Sequence, residues 1–135
     1  MRRGAAALVA TLAAALLATG CGGAAGDLLA LEVSGGAGNV HDRLRVTDDG
    51  RASCNGRALV AITNKQLLAA REDKRLLRPY AKRGETFPGA VAGARNFVAR
   101  SQDGTVTWSE GAPRLPTAIG RTTLLVIELE RQLCR

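Results

Sequence analysis

Aromatic residues are scarce in this chain: Tyr80, Phe87, Phe97 and Trp108 are the only four in 135 residues. Surfaces that stack nucleobases or sugar rings need several aromatic faces, so nucleic-acid and carbohydrate platforms are excluded as main roles. Histidine occurs once, at His41. His41 and Asp42 resemble part of a metal-dependent hydrolase pair, but the further histidines such a site requires are missing. No G-x-S-x-G is present, and Ser34 has only the nearby His41 as a base, which argues against serine hydrolysis. The glycine-rich stretch at 34–39 (SGGAGN) lacks the G-x-G-x-x-G order and does not open a helix, which removes dinucleotide binding. Two adjacent acidic pairs have simpler roles than acid–base catalysis, Asp48 with Asp49 in a turn and Glu72 with Asp73 on a helix. The chain therefore reads as a non-enzyme with no catalytic residue, no cofactor and no metal.

There is one long apolar run, at residues 5–18, interrupted only by Thr11. It is opened by Arg2 and Arg3, which favour retention on the cytoplasmic side as the segment enters the membrane. Such a run has the length of a signal-peptide h-region and falls short of the roughly 20 residues a permanent span needs. No twin-arginine motif follows the two arginines, so general export is the expected route. The run ends in Leu16-Leu17-Ala18-Thr19-Gly20-Cys21, which resembles a bacterial lipobox. The small residues 18–20 suit a peptidase groove, and the Cys21 thiol is the nucleophile a diacylglycerol transferase alkylates. Residues 1–20 are thus expected to be a lipoprotein signal peptide and residues 21–27 a flexible leash. Residues 28–135 then form one small domain, outside the cytoplasm and lipid-anchored to the cell membrane or the outer membrane.

The whole chain has 19 basic and 12 acidic residues, a net +7. Loss of Arg2 and Arg3 with the signal leaves a mature charge of +5. Residues 65–83 hold seven basic residues against Glu72 and Asp73, so this segment alone carries the same excess. With Cys21 assigned to lipid, Cys54 and Cys134 remain, and two cysteines in an exported domain most simply form a disulfide. The alternative, a metal site built from Cys54, Cys134 and His41, lacks a second histidine and paired-cysteine spacing.

Residues 28–33 read as a buried strand, and Arg43 to Thr47 alternates, with Leu44 and Val46 on the inner face. Asp48-Asp49-Gly50 is a hairpin turn, and residues 52–54 return antiparallel. A helix capped by Thr63 or Asn64 follows. Its predicted apolar side holds Ala69, Ala70, Leu76, Leu77 and Tyr80, and Arg71, Lys74, Arg75 and Arg78 form a basic opposite face. Asp73 falls inside the apolar stripe and Leu67 and Leu68 outside it, and Pro79 is expected to end or kink the helix. Residues 82–94 lack periodicity and read as loop. A second hairpin spans 96–101 and 105–109 about Asp103-Gly104, placing Phe97, Ala99, Val106 and Trp108 inward. A last helix over 117–133 buries Ala118, Thr122, Leu125, Val126, Leu129 and Leu133, with Pro116 at its first turn. The expected fold is α+β: a small antiparallel sheet of four to five strands in two hairpins, with two helices packed on one face.

Three segments together, VSGGAGNVHDRLRVTDDGRASC, NFVARSQDGTVTWSEGA and the helix after LPTAIG, resemble the emfourin-like family across residues 29–133. Members of that family are small protein inhibitors of thermolysin-type metalloproteases such as protealysin. The family loop runs Ser-Gly-Gly, an aromatic, then Ala-Gly; here Ser34, Gly35 and Gly36 match, the aromatic is absent, and Ala37 and Gly38 follow directly. The resemblance implies a protein-binding module that fills a protease cleft, with Ser34, Gly35, Gly36 and Gly38 at the contact. The other reading is an envelope lipoprotein with a structural or interaction role through the basic face of Arg71, Lys74, Arg75 and Arg78. Its partners would be anionic headgroups, an acidic polymer or another envelope protein.

Overall fold

The computed structural model describes residues 26–135. The expected signal peptide, the expected lipobox with Cys21 and most of the expected leash lie outside the described residues. Strand β1 (Asp27–Gly35) and strand β2 (Val40–Thr47) form the first hairpin. Strand β3 (Arg51–Cys54) returns beside β2, followed by the two-residue strand β4 (Val60–Ala61). Helix α1 (Asn64–Arg83) leads to a second two-residue strand, β5 (Thr86–Phe87). Strands β6 (Arg95–Ser101) and β7 (Gly104–Ser109) make the other hairpin, and helix α2 (Thr117–Leu133) closes the fold. The sheet order is β4-β3-β2-β1-β6-β7-β5, with every pairing antiparallel except that of β5 with β7.

The α+β architecture with two helices is as expected, whereas the sheet has seven strands and is mixed rather than purely antiparallel. The two additional strands, β4 and β5, are too short to leave a hydropathy period, and β5 lies within the stretch read as loop. Asp27, expected in the leash, is the first residue of β1, where it pairs with Thr47 and its carboxylate meets Arg45.

Alternation decides which face of the sheet is covered. Leu29, Leu31 and Val33 of β1, Leu44 and Val46 of β2, and Ala52 and Cys54 of β3 are buried. So are Phe97 and Ala99 of β6 and Val106 and Trp108 of β7. Each large aliphatic side chain fully withdrawn from water contributes about 1.5–3 kcal/mol, so a one-residue slip of any central strand would expose its whole inner row. Phe97 and Trp108, opposite one another on β6 and β7, stack at 5.4 Å between ring centroids, and Trp108 Nε1 donates to Thr123 Oγ1 of α2 at 2.9 Å. Trp108 is thus a core residue that fastens α2 to the sheet.

Helix α1 starts at a capping box in which Thr63 and Gln66 bond reciprocally. Pro79 lies inside α1 and does not end it: the helix continues one further turn and stops at Gly84, whose φ is +61°. The amides of Gly84 and Glu85 return to the carbonyls of Ala81 and Tyr80, a closure that stabilises the final turn despite the missing proline N–H. The buried residues of α1 are Gln66, Ala70, Asp73, Leu77 and Ala81. Asp73 is therefore part of the covered face, as its place in the stripe requires, and Leu68 is 63% exposed. Helix α2 buries Ile119 as well as Thr122, Leu125, Val126 and Leu129, while Ala118 and Leu133 are only partly covered. Pro116 occupies the N-cap position, one residue before the first turn.

Cys54, on the inner face of β3, and Cys134, just past α2, form a disulfide with a Cα–Cα distance of 5.3 Å. The two cysteines are 80 residues apart, so the bond pins the last helix to the far side of the sheet. Arg57 adds to this closure, donating from Nη1 to the carbonyls of Leu133 and Arg135.

Candidate functional site

The sheet has two unlike ends. At one, here the base, lie the turn after β2 and the turn between β6 and β7, with α1 running from the first to the second. Leu67 packs near Gly50, Arg71 donates to the Asp48 carbonyl at 2.9 Å, and Arg78 pairs with Asp103 at 3.2 Å. At the other, the tip, lie the β1–β2 turn at residues 36–39, the loop at 88–94 and the turn at 110–112.

The four residues carried by the family resemblance are distributed unequally at the tip. Ser34 lies within β1, half-buried, opposite His41 and Asn96. Gly35 is the last residue of β1, with φ +82°, and a Cβ there would stand 2.7 Å from the Ala94 carbonyl oxygen. Gly36, at φ +76°, would place a Cβ 2.8 Å from Arg95 Cγ. Gly35 thus lets the hairpin approach the backbone before β6, and Gly36 makes room for the Arg95 side chain, both packing roles. Only Gly38, with Ala37 and Asn39, is exposed at the turn itself, and the Asn39 amide closes it on the Gly36 carbonyl at 3.0 Å.

The neighbouring loop enlarges this surface. Gly89 sits against Ser109 and Glu110, the Glu110 amide bonds the Arg95 carbonyl at 2.8 Å, and Val91 lies beside Gly111. Ala90, Val91, Ala92 and Gly93 are exposed, Val91 at 63%. Val91 was not singled out by the sequence; the run of small residues between Gly89 and Gly93 is the signal that marks it. Below the tip, the Arg95 guanidinium pairs with Glu130 of α2 and lies over Phe97, which holds the root of β6 in place. The arrangement exposes backbone groups and small side chains at this end of the sheet.

The open face of the sheet carries charge. Glu32 accepts from Arg100 at 2.7 Å and lies 3.9 Å from Arg43. The hydrogen bond from Arg100 holds its carboxyl below the ordinary range. A large upward shift lies elsewhere: burial pushes the Asp73 carboxyl up to about 6, opposed by Arg121 and a hydrogen bond from Thr122. Asp73 lines a shallow hollow of about 180 Å³ between the two helices, with no neighbouring nucleophile among the residues that line it. A hollow of about 620 Å³ runs as a groove along α2, lined by Leu124, Ile127, Glu128, Arg131 and Gln132.

Asp42, Cys54 and Cys134 place ligand-type atoms within 4.8 Å of one another. The two sulfurs are bonded to each other, and Asp42 accepts from Asn55 Nδ2 at 2.8 Å. His41 faces the open side of the sheet, away from the disulfide, so the alternative of a site joining Cys54, Cys134 and His41 is not assembled. Arg71, Arg75 and Arg78 are exposed and Lys74 half-exposed on one side of α1, where they line a hollow of about 280 Å³. Among the described residues, no helix is long and apolar enough to cross a membrane. The chain matches no family model, no curated protein and no solved structure.

Proposed function

We propose that this protein is a lipid-anchored extracytoplasmic lipoprotein whose domain is a non-catalytic protein-binding module, with thermolysin-type metalloproteases as its target class. The observation that carries the reading is the tip. Residues 37–39 and 90–93 form an exposed, nearly uncharged surface of small side chains, supported from beneath by glycines that fit where a Cβ would collide. Such a surface enters a cleft without bulky groups to hold the two backbones apart. The rigid hairpin behind it reduces the ordering cost of binding.

Positive φ and the approach to Arg95 make Gly36 a poor place to add bulk. Gly38 is better, since its backbone is in an ordinary region and a Cβ there meets only Val40 Cγ2 at 3.7 Å. The test is inhibition of a thermolysin-type protease by the purified protein at micromolar concentration, repeated with Gly38→Trp and with Val91→Asp. Inhibition by the parent, and its loss in both variants at unchanged melting temperature, supports the reading. A protease left at full rate by the parent protein removes the inhibitor function. Inhibition that survives both substitutions moves the contact away from the tip.

A further inference from the structure

The tip is one end of the sheet; the membrane attachment leaves from the other. The Asp48 amide donates to the Gly26 carbonyl at 3.1 Å, and the Asp48 carbonyl accepts from Arg71 Nη2 at 2.9 Å. A single residue therefore ties the exit of the N-terminal segment to the basic face of α1. Only residues 22–25 separate Cys21 from Gly26, so the path between them cannot exceed about 18 Å even when fully extended. A lipid at Cys21 would thus hold the base of the sheet, with α1 across it, within about 18 Å of the anchor. The nine residues of β1 hold the tip roughly 30 Å away.

We infer that the Arg71, Lys74, Arg75 and Arg78 face of α1 docks onto the anionic lipid surface that holds the anchor, and that this contact points the tip outward. The inference rests on the lipoprotein reading of Cys21. Charge supports the choice of occupant. Arg71 donates to a carbonyl, a partner that leaves its positive charge uncancelled. Arg75 and Arg78 do have acidic partners, Glu72 and Asp103, but the side chains of both arginines are more than half exposed, and ion pairs of that kind are weak enough to exchange for phosphate. Of the other acids near the base, Asp49 is engaged by Arg51, and Asp48 is exposed. The hollow lined by Arg71, Lys74, Arg75, Arg78, Gln102 and Asp103 has about 280 Å³, room for a phosphodiester headgroup between guanidinium donors. Basic residues near an anionic leaflet each strengthen attachment, and the effect dies away within a Debye length. An anchor a few residues away keeps the face close enough to reach that range, and the charge attraction then holds it there.

The experiment uses the mature chain carrying Cys21→Ser, so that no lipid assists binding, and sedimentation with vesicles. The chain should bind vesicles containing phosphatidylglycerol, remain free of pure phosphatidylcholine vesicles, and dissociate as salt is raised. Arg71→Gln with Lys74→Gln should weaken the partition by about 25-fold, roughly fivefold per charge. Arg43→Gln with Arg114→Gln removes two charges from the open face and the tip side, and should weaken it by less than about threefold. Arg71→Lys keeps the charge and should bind like the parent, with melting temperatures reported for every variant. Equal losses from the two double variants, or an Arg71→Lys loss as large as that of Arg71→Gln, would overturn the inference. So would absence of vesicle binding, including the case in which the chain binds soluble polyphosphate instead. The anchor reading is tested separately, by fractionating cells that express Cys21→Ser, so its failure is distinguishable from failure of the docking face.

Discussion

The Asp73 carboxylate of α1 lies 3.8 Å from Arg121 Nε of α2, and the Asp73 side chain is almost wholly withdrawn from water. Burial disfavours its charged form more than Arg121 and Thr122 favour it, which is why its pKa is raised to about 6 from an ordinary 3.8. A carboxyl with a raised folded-state pKa stabilises fully below its unfolded value, and that contribution is lost as pH rises through the folded value. The window for Asp73 is therefore about pH 4 to pH 6. Asp73→Asn should remove this dependence. Between pH 4 and pH 7 the parent should lose about 2 kcal/mol relative to the variant, measured as the difference between their urea-unfolding free energies. Glu32, Asp49 and Glu72 shift downward and act oppositely in both proteins, so the difference isolates Asp73. A constant gap between the two curves would refute the assignment.

Gly104 opens β7 at φ +132°, and a Cβ there would stand 2.2 Å from the Ala81 carbonyl oxygen. Gly104→Ala should cost about 3 kcal/mol or more, combining backbone strain with displacement of the end of α1. Gly56, at φ +75° with nothing near its Cβ position, is the control: Gly56→Ala should cost about 1 kcal/mol. Thermal unfolding of the two variants side by side decides it, and similar losses would mean that the close approach at Gly104 is unimportant.

The β2–β3 and β6–β7 turns were legible in the sequence because Asp48-Asp49-Gly50 and Asp103-Gly104 combine a turn residue with the glycine that a positive φ demands. The last helix was legible as well, since its apolar residues recur at helical spacing over four turns. Helix α1 was harder. Its covered face includes Gln66, bonded to Glu128 and Gln132, and Asp73, facing Arg121. Polar groups that meet partners on another helix look like errors in a hydropathy pattern until that helix is in place. Pro79 does not end the helix, of the two outcomes expected, and the closing bonds at Gly84 and Glu85 secure the turn that follows it. At the tip, the glycine motif was conspicuous, but the split between packing glycines (Gly35, Gly36) and an exposed one (Gly38) depends on the course of residues 94–95. No local pattern encodes that course.

The Cys54–Cys134 bond closes a span of 80 residues, for which loss of unfolded-chain entropy predicts about 4–5 kcal/mol of stabilisation. Reduction should lower the melting temperature by about 10 °C or more and should first loosen the C-terminal end of α2, where Arg57 meets the Leu133 carbonyl. Hydrogen exchange with and without reductant follows this locally. Two free thiols in protein purified from the cell envelope would contradict the bond.

Cys21→Ser should release the protein from the membrane fraction or leave it as an unprocessed precursor, as expected if the cysteine after Ala18-Thr19-Gly20 is the lipidated residue. Fractionation followed by immunoblotting reads both outcomes. A membrane-bound variant of mature size would rule the lipobox out.

The sheet is bordered on both sides by strands of two residues, Val60–Ala61 and Thr86–Phe87. Strands so short offer too few free amides and carbonyls to template another chain. Copies of the molecule that meet edge to edge therefore find little backbone on these border strands with which to grow into a shared ribbon. The same economy bears on recognition, because neither two-residue border strand offers a partner enough backbone to extend the sheet.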